Sequence, residues 1–313
     1  MELLQTEKAF NPVITLLDWY DLNRRELPWR HAQPDPYHVW LSEVMLQQTT
    51  VVAVTPRYAR FLERWPDIQA LAEASLDDVL HEWQGLGYYA RARNLHCCAQ
   101  HIVAQDEGRF PDTEKALHDL PGVGDYTAAA IAAIAFGEPV APVDGNVIRV
   151  ISRLDALEQI MPTGKQVVQK RVTRLVPEDR PGDFAQAMMD LGAIVCTPRN
   201  PKCEICPWEE ACKARAGGDA QSYPRKAPKK HKPTRYGVVF WLTDRSGRVM
   251  LRRREEKGLL GGMMEFPSTE WLEQAQSSED VAFQAPVSDV VWKELVGPKK
   301  ALEAIAIKDS HLF

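Results

Sequence analysis

Four cysteines, Cys196, Cys203, Cys206 and Cys212, fall within seventeen residues, with six, two and five residues between them. Thiolates this close in sequence can converge on one centre, and the loop that carries them must then close around it. Four thiolates suit a [4Fe–4S] cluster. Tetrahedral zinc competes with that reading, although zinc ribbons and knuckles usually bring two close cysteine pairs and only Cys203 and Cys206 form one here. Disulfide pairing is the third option. The first ten residues lack the apolar run of a secretory signal, and no stretch approaches a membrane span. A reducing, cytoplasmic compartment is therefore expected, where clustered cysteines more often hold metal than pair with each other. Cys97 and Cys98 lie in a helical pattern and are expected to be packed thiols.

The chain of 313 residues has room for two domains, and a hydrophobic content of 45% permits real cores. Through residues 1–215 apolar positions recur at three and four, as in Val13, Leu16, Leu17 and Tyr20, or Val147, Val150, Ile151 and Leu154. Prolines such as Pro36 and Pro121 punctuate these runs. No strand-like alternation interrupts them, so this region is predicted to be all-α. Residues 216–235, with Gly217, Gly218 and a run of lysines, arginines and prolines, have the composition of a basic linker. From Tyr236 the period becomes two. YGVVFWL, the turn residues 244–247 and RVMLRRR predict a hairpin, and Trp271 to Gln276 the start of a helix. Residues 236–313 are thus read as a smaller α+β domain. The net charge of −5 gives no global attraction to nucleic acid, so DNA binding would need a local basic face.

Four further segments carry chemistry. In LPGVGDYTAAAIAAI, residues 120–134, Gly122 and Gly124 allow a tight turn before a helix N-terminus, a nest suited to a phosphate. A plain helix–helix turn is the alternative. In VDGNVIRVISR, residues 143–153, Asp144 begins a helix and Asn146 is close enough to orient it. This carboxylate is either a simple cap or one aimed into a cleft. In PYHVWLSEVMLQQTT, residues 36–50, Glu43 sits in an apolar stretch beside Trp40, Leu46 and Gln47. A carboxyl in such a place acquires a raised pKa and can serve as a general acid, whereas on an amphipathic surface it would do neither. The pair suggests cleavage at a glycosidic carbon, one acid protonating the leaving group and one carboxylate stabilising the cation. In WQGLGYYARARNLH, residues 83–96, Tyr88, Tyr89, Arg91 and Arg93 suit insertion into a base stack and phosphate contact. A core-facing tyrosine pair beside a solvated arginine face would look the same.

Taken in order, LPWR (27–30), PYHVWLSEVMLQQT (36–49), GLGYYARARNLH (85–96), LPGVGDYTA (120–128), VDGNVIRV (143–150), QAMMDLGAIVC (186–196) and the four-cysteine loop resemble the helix–hairpin–helix DNA glycosylases with an iron–sulfur loop. Within that superfamily they resemble the adenine DNA glycosylases of the MutY type, over roughly residues 12–215. Endonuclease III shares the hairpin, the aspartate and the cluster, but its hairpin carries a Schiff-base lysine where this chain has Tyr126.

The resemblance implies a monofunctional glycosylase that removes adenine opposite 8-oxoguanine or guanine in double-stranded DNA, acting as a monomer with a [4Fe–4S] cluster on the four cysteines. It assigns Glu43 as the acid, Asp144 and Asn146 to the sugar cation, and Tyr126 to the reacting nucleotide. Trp29, Arg30 and Gln186 border the adenine pocket. Gln47, Gln48 and Tyr88 lie beside the opposed base, and Gly122 and Gly124 hold a phosphate. The alternatives are an endonuclease III-like glycosylase/lyase for oxidised pyrimidines and a catalytically silent cluster protein. In the loop, Arg199, Lys202, Lys213 and Arg215 supply basic charge beside the cluster. Residues 248–268 resemble the start of a Nudix-like domain that senses 8-oxoguanine, without the metal-ligand signature for diphosphate hydrolysis after Gly262. Beyond about residue 298 the chain departs from the family pattern and reads as a short amphipathic helix, so a truncated sheet with an exposed edge is expected.

Overall fold

The computed structural model describes residues 10–228, 233–244, 246–255, 258 and 260–274. The chain divides into two compact units, Met1–Pro228 and Lys229–Phe313.

In the first unit, helix starts follow the sequence closely. Asn11, Asp35, Thr50, Asp67, Ser75 and Thr113 cap α1 (Pro12–Asn23), α2 (Pro36–Leu46), α3 (Val51–Arg64), α4 (Ile68–Glu73), α5 (Leu76–Glu82) and α7 (Glu114–His118). Each side-chain oxygen satisfies a first-turn N–H that has no partner within its helix. Between them, α6 (Ala90–Asp106) ends on a left-handed Glu107. Four helices follow: α8 (Asp125–Phe136), α9 (Gly145–Leu154), α10 (Lys165–Thr173) and α11 (Pro181–Asp190). A π-helical turn, Leu191–Val195, leads from α11 into the cysteine loop, and α12 (Lys213–Ala216) closes it. Among its described residues the expected all-α region is built from helices and contains no strand.

Two hydrophobic clusters share this unit. One gathers α2 to α8 around Trp40, Phe61, Trp83 and Ile131. The other gathers α9, α10 and α11 around Val150, Ile151, Phe184 and Leu191, and takes Leu16, Leu17 and Tyr20 from α1. Helix α1 therefore packs with elements more than a hundred residues downstream. Helix α8 is the seam between the clusters. Ala128, Ala129, Ala130, Ala132 and Ala133 are all buried, so neighbours can close on every side of it. One of these neighbours is α11, where a Cβ on Gly182 would stand 2.7 Å from the carbonyl oxygen of Ala133.

Three expectations need correction. The linker does not begin at 216. Residues 216–228 belong to the helical unit, where buried Tyr223 and Arg225 both bind Glu158, and the Met161 N–H donates to the carbonyl of Arg225. Two hydrogen bonds and an ion pair outweigh a composition typical of a tether. Cys98 is buried as expected, but Cys97 is exposed because it faces away from the core side of α6. Leu272 does not start a helix: it exchanges backbone hydrogen bonds with Tyr236 at 2.7 and 2.9 Å in an antiparallel bridge.

The second unit holds the expected hairpin. Thr243 pairs with Val249 across a turn in which Asp244 accepts from the N–H groups of Ser246 and Arg248. Strands β1 (Arg252–Arg253) and β2 (Met264–Glu265) pair antiparallel, and Phe240 and Leu242 form a small core. The tail beyond residue 298, where an altered sheet was expected, lies outside the described residues.

The α8–α11 approach gives a direct test. Gly182→Ala should destabilise the protein by about 1–3 kcal/mol in urea unfolding, because the obstructing atoms are backbone and cannot move aside. Gly124→Ala, which meets nothing within 4 Å, should change stability by less than about 0.5 kcal/mol.

Candidate active site

Glu43 lies on α2, a helix buried almost all round, and is itself 7% exposed. Loss of water penalises its charged form first. A contact from the Tyr126 hydroxyl opposes that, the nearby Asp144 carboxylate adds to it, and Arg30 opposes it more weakly. The balance pushes the carboxyl up to about 7. Tyr126, one residue into α8, is half-buried, and its hydroxyl donates toward Met189 Sδ at 3.7 Å. Burial and the facing Glu43 carboxylate hold its phenol firmly protonated.

Asp144 caps α9. Its Oδ1 accepts from the Val147 N–H at 2.8 Å and its Oδ2 from Asn146 Nδ2 at 2.8 Å. The aspartate is thus both a cap and a fixed carboxylate, with the positive end of the helix beneath it. Asn146 is held in turn, because its Oδ1 accepts from Arg149 Nη2 at 2.8 Å. Gly192, in the π-helical turn, makes room for this arrangement: a Cβ there would come within 2.6 Å of Asn146 Cβ. Single π-helical turns recur at functional sites.

A pocket beside Glu43 brings together Trp29, Arg30, Glu43 and Gln186 with Leu46 and Met189. Behind it Asp190, fully buried, receives both nitrogens of the Arg30 fork at 2.7 and 2.8 Å and Arg25 Nε at 2.7 Å. Reading the sequence missed Asp190 and Arg25. Asp190 lies within QAMMDLGAIVC and Arg25 just before LPWR, and nothing in their spacing reveals that α11 delivers the aspartate behind Arg30.

Gln47 donates to Thr127 Oγ1 at 3.2 Å. Gln48 and Tyr88 are exposed, and both hold left-handed backbone, with φ 56° and 47°. Gly122 is left-handed at φ 75°, and no side chain caps the N-terminus of α8 that follows Gly124. First-turn N–H groups there are free to meet an anion. Arg91 corrects the expectation of a phosphate contact. Its guanidinium turns inward, donating to the carbonyls of Val44, Met45, Leu86 and Gly87 at 2.9, 3.0, 2.7 and 3.2 Å.

The four cysteines line one cavity together with Arg153. Burial raises the thiols of Cys203, Cys206 and Cys212, Cys206 to about 12, so it is metal binding that would displace the protons. Among the described residues no three His, Cys, Asp or Glu side chains close on a point tight enough for a single ion. The four thiols surround one space, and a set of four thiolates is the donor set of a [4Fe–4S] cluster. Trp208 in this loop donates from Nε1 to the carbonyl of Pro12 at 2.8 Å, tying the loop to α1. Arg199, Lys202 and Lys213 are exposed, whereas Arg215 is paired with Glu209.

With paired carboxylates, an open helix–hairpin–helix turn and a four-thiol loop, the helical unit has the parts of a base-excision repair glycosylase. Residues 41–178 match the HhH-GPD superfamily of base excision DNA repair proteins, and residues 196–215 match the iron–sulfur binding domain of endonuclease III. The cysteine loop is therefore an iron–sulfur site. The chain is 34% identical to an adenine DNA glycosylase of Buchnera aphidicola, over 81% of its own length and 72% of the relative's. It is 39% identical to an adenine DNA glycosylase of Arabidopsis thaliana, over 84% of its own length. The chain belongs to the adenine DNA glycosylase family. It spans about half the length of the plant relative, 48%. A solved thermostable thymine-DNA glycosylase superposes with a TM-score of 0.61 at 34% identity, covering 66% of this chain and 95% of that one.

The raised Glu43 carboxyl has a consequence for stability. Its folded pKa of about 7 lies above the unfolded 4.5, so the folded state binds the proton more tightly. Stability from this group is complete below pH 4.5 and is lost as pH rises to 7. Glu43→Gln removes that loss. At pH 8 the variant should be more stable than the native chain by about 3 kcal/mol, and at pH 4.5 the difference should be much smaller. Urea unfolding at both pH values measures it.

Proposed function

We propose that this protein is a monofunctional DNA glycosylase that hydrolyses the N-glycosidic bond of adenine mispaired with 8-oxoguanine or guanine. The observation that carries this reading is the pairing of a buried, proton-holding Glu43 with the capped, oriented carboxylate of Asp144. An acid whose pKa lies near the working pH can give up its proton as the bond breaks. Glu43 protonates N7 of the extruded adenine. Cleavage leaves positive charge on C1′ of the sugar, and Asp144, held by Asn146 and Val147, stabilises it. Water then attacks C1′, with Glu43, now ionised, helping to take its proton. Tyr126 lines the reacting nucleotide, and the Trp29, Arg30 and Gln186 wall receives the base. Extrusion is cheaper at a mismatch, which contributes selectivity.

Double-stranded DNA is the partner. Gly122, Gly124 and the free N-terminus of α8 hold a phosphate, and Gln47, Gln48 and Tyr88 lie at the opposed pair. Tyr126 in place of a lysine supports hydrolysis without strand cleavage. The [4Fe–4S] cluster, held by Cys196, Cys203, Cys206 and Cys212, shapes the exposed basic loop, and no step of the hydrolysis is assigned to it. The second unit, as a Nudix-like domain, senses the oxidised base. The protein acts as a monomer in the cytoplasm.

The test uses duplexes with A opposite 8-oxoguanine, A opposite G, T opposite G, or oxidised thymine, each with and without alkali. Cleavage at A alone, and only after alkali, is the expected result. Release of thymine would assign the chain to the chemistry named for its structural neighbour, and cleavage without alkali would make it a lyase. Glu43→Gln should lower single-turnover excision by about 10²–10⁴-fold with mismatch binding intact. The native rate should fall as pH rises above about 7, where Glu43 loses its proton.

A further inference from the structure

Arg153 is 2% exposed, and no carboxylate lies within ion-pair distance of it among the described residues. A buried cation without an anion is costly, so such groups are found paired or against a negatively charged group. Its contacts are with the cysteine loop. Nη1 stands 3.3 Å from Cys196 Sγ and 2.7 Å from the carbonyl of Thr197, and Nη2 stands 3.1 Å from that of Pro198. Cys212 Sγ lies 3.4 Å from the carbonyl oxygen of Arg153 itself. The guanidinium also lines the cavity of the four thiols, while its Nε–H is buried with no acceptor.

Other charges nearby do not answer for it. Glu209 pairs with Arg215, Glu204 is exposed, and Arg149 spends its donors on Cys196 O, Gly192 O and Asn146 Oδ1. Among the described residues only Arg153 brings a buried positive charge to a ligand sulfur. Four thiolates and their cluster carry net negative charge, the missing anion in this accounting.

We propose that Arg153 is the counter-charge of the iron–sulfur cluster, an N–H donor to Cys196 sulfur that holds the cluster in place and raises its reduction potential. Reduction adds negative charge, so a fixed cation beside the sulfur favours the reduced state more than the oxidised one. Charge and hydrogen bonds at the sulfurs are the terms that set such potentials. The proposal rests on the loop holding iron and sulfur, and does not depend on which base the enzyme removes.

The experiment takes anaerobically purified holo-protein as native chain, Arg153→Met, Arg153→Lys and the exposed control Arg174→Met. Two readouts are followed: the rate at which a chelator bleaches the cluster, and the reduction potential from a titration followed by electron paramagnetic resonance. Arg153→Met should bleach about 10–100-fold faster and have a lower potential. Arg153→Lys, which keeps charge but not the fork, should retain most of the potential, and Arg174→Met should match the native chain. If Arg153→Met cannot be isolated with a cluster, Arg153→Lys and Arg153→Gln decide the matter: retention by lysine alone supports the proposal, and equal retention or loss in both overturns it. A native potential in Arg153→Met, or the same lowered potential in Met and Lys, would reduce Arg153 to a structural clamp.

Discussion

One face of α9 ties the chemistry of the helical unit together. Asp144 caps its start, Asn146 and Arg149 follow within the first turns, and Arg153 closes its end. An α-helix rises about 1.5 Å per residue, so roughly 14 Å of stiff backbone separates the carboxylate from the arginine beside Cys196. Both arginines reach the same neighbouring segment, Arg149 through Gly192 O and Cys196 O, Arg153 through the sulfur and the next two carbonyls. The cysteine loop cannot shift without pulling on the donors that fix Asn146, and through it Asp144. The π-helical turn gives the close approach its geometry, since Gly192 leaves no side chain between itself and Asn146.

The electrostatics on the other wall depend on a charge already spent. Arg30 is close enough to lower the pKa of Glu43, yet it is the weakest of the four influences on that group. Behind it Asp190 receives both of its terminal nitrogens together with Arg25. An unpaired arginine at that distance would favour the carboxylate and destroy the acid. Asp190 offsets part of that positive charge and holds Arg30 as a rigid wall. The cost is a carboxyl whose burial weakens the fold above its pKa, a common exchange of stability for activity at active sites.

The parts legible in the sequence are those where one residue type in one local setting suffices. Caps before prolines, the glycines of the hairpin turn, Glu43 in an apolar stretch, Asp144 at a helix start and the cysteine spacing all act within a few residues of themselves. Asp190, Arg25, Arg149 and Arg153 were not legible as site residues because they have partners 160, 165, 43 and 43 residues away along the chain. The linker was misread for the same reason. Glycine and basic composition describe a solvated tether until Glu158, far upstream, supplies the partner for Tyr223 and Arg225.

Arg91 shows how a misread residue clarifies a pair that was read well. Gln48 and Tyr88 both carry side chains on left-handed backbone, a conformation that costs roughly 1–3 kcal/mol and persists only where its surroundings enforce it. The enforcing group is the Arg91 guanidinium. It binds Val44 and Met45 at the end of α2, Leu86 and Gly87 before Tyr88, and Thr49 Oγ1 next to Gln48. One half-buried fork thus clamps two loops, and each holds an exposed side chain in a conformation that neither loop would choose alone. Strain kept at two exposed tips, and braced by a single half-buried charge, is hard to account for by folding alone. It is accounted for if both tips must stand at a fixed separation before DNA arrives, so that the duplex meets a wedge already in shape.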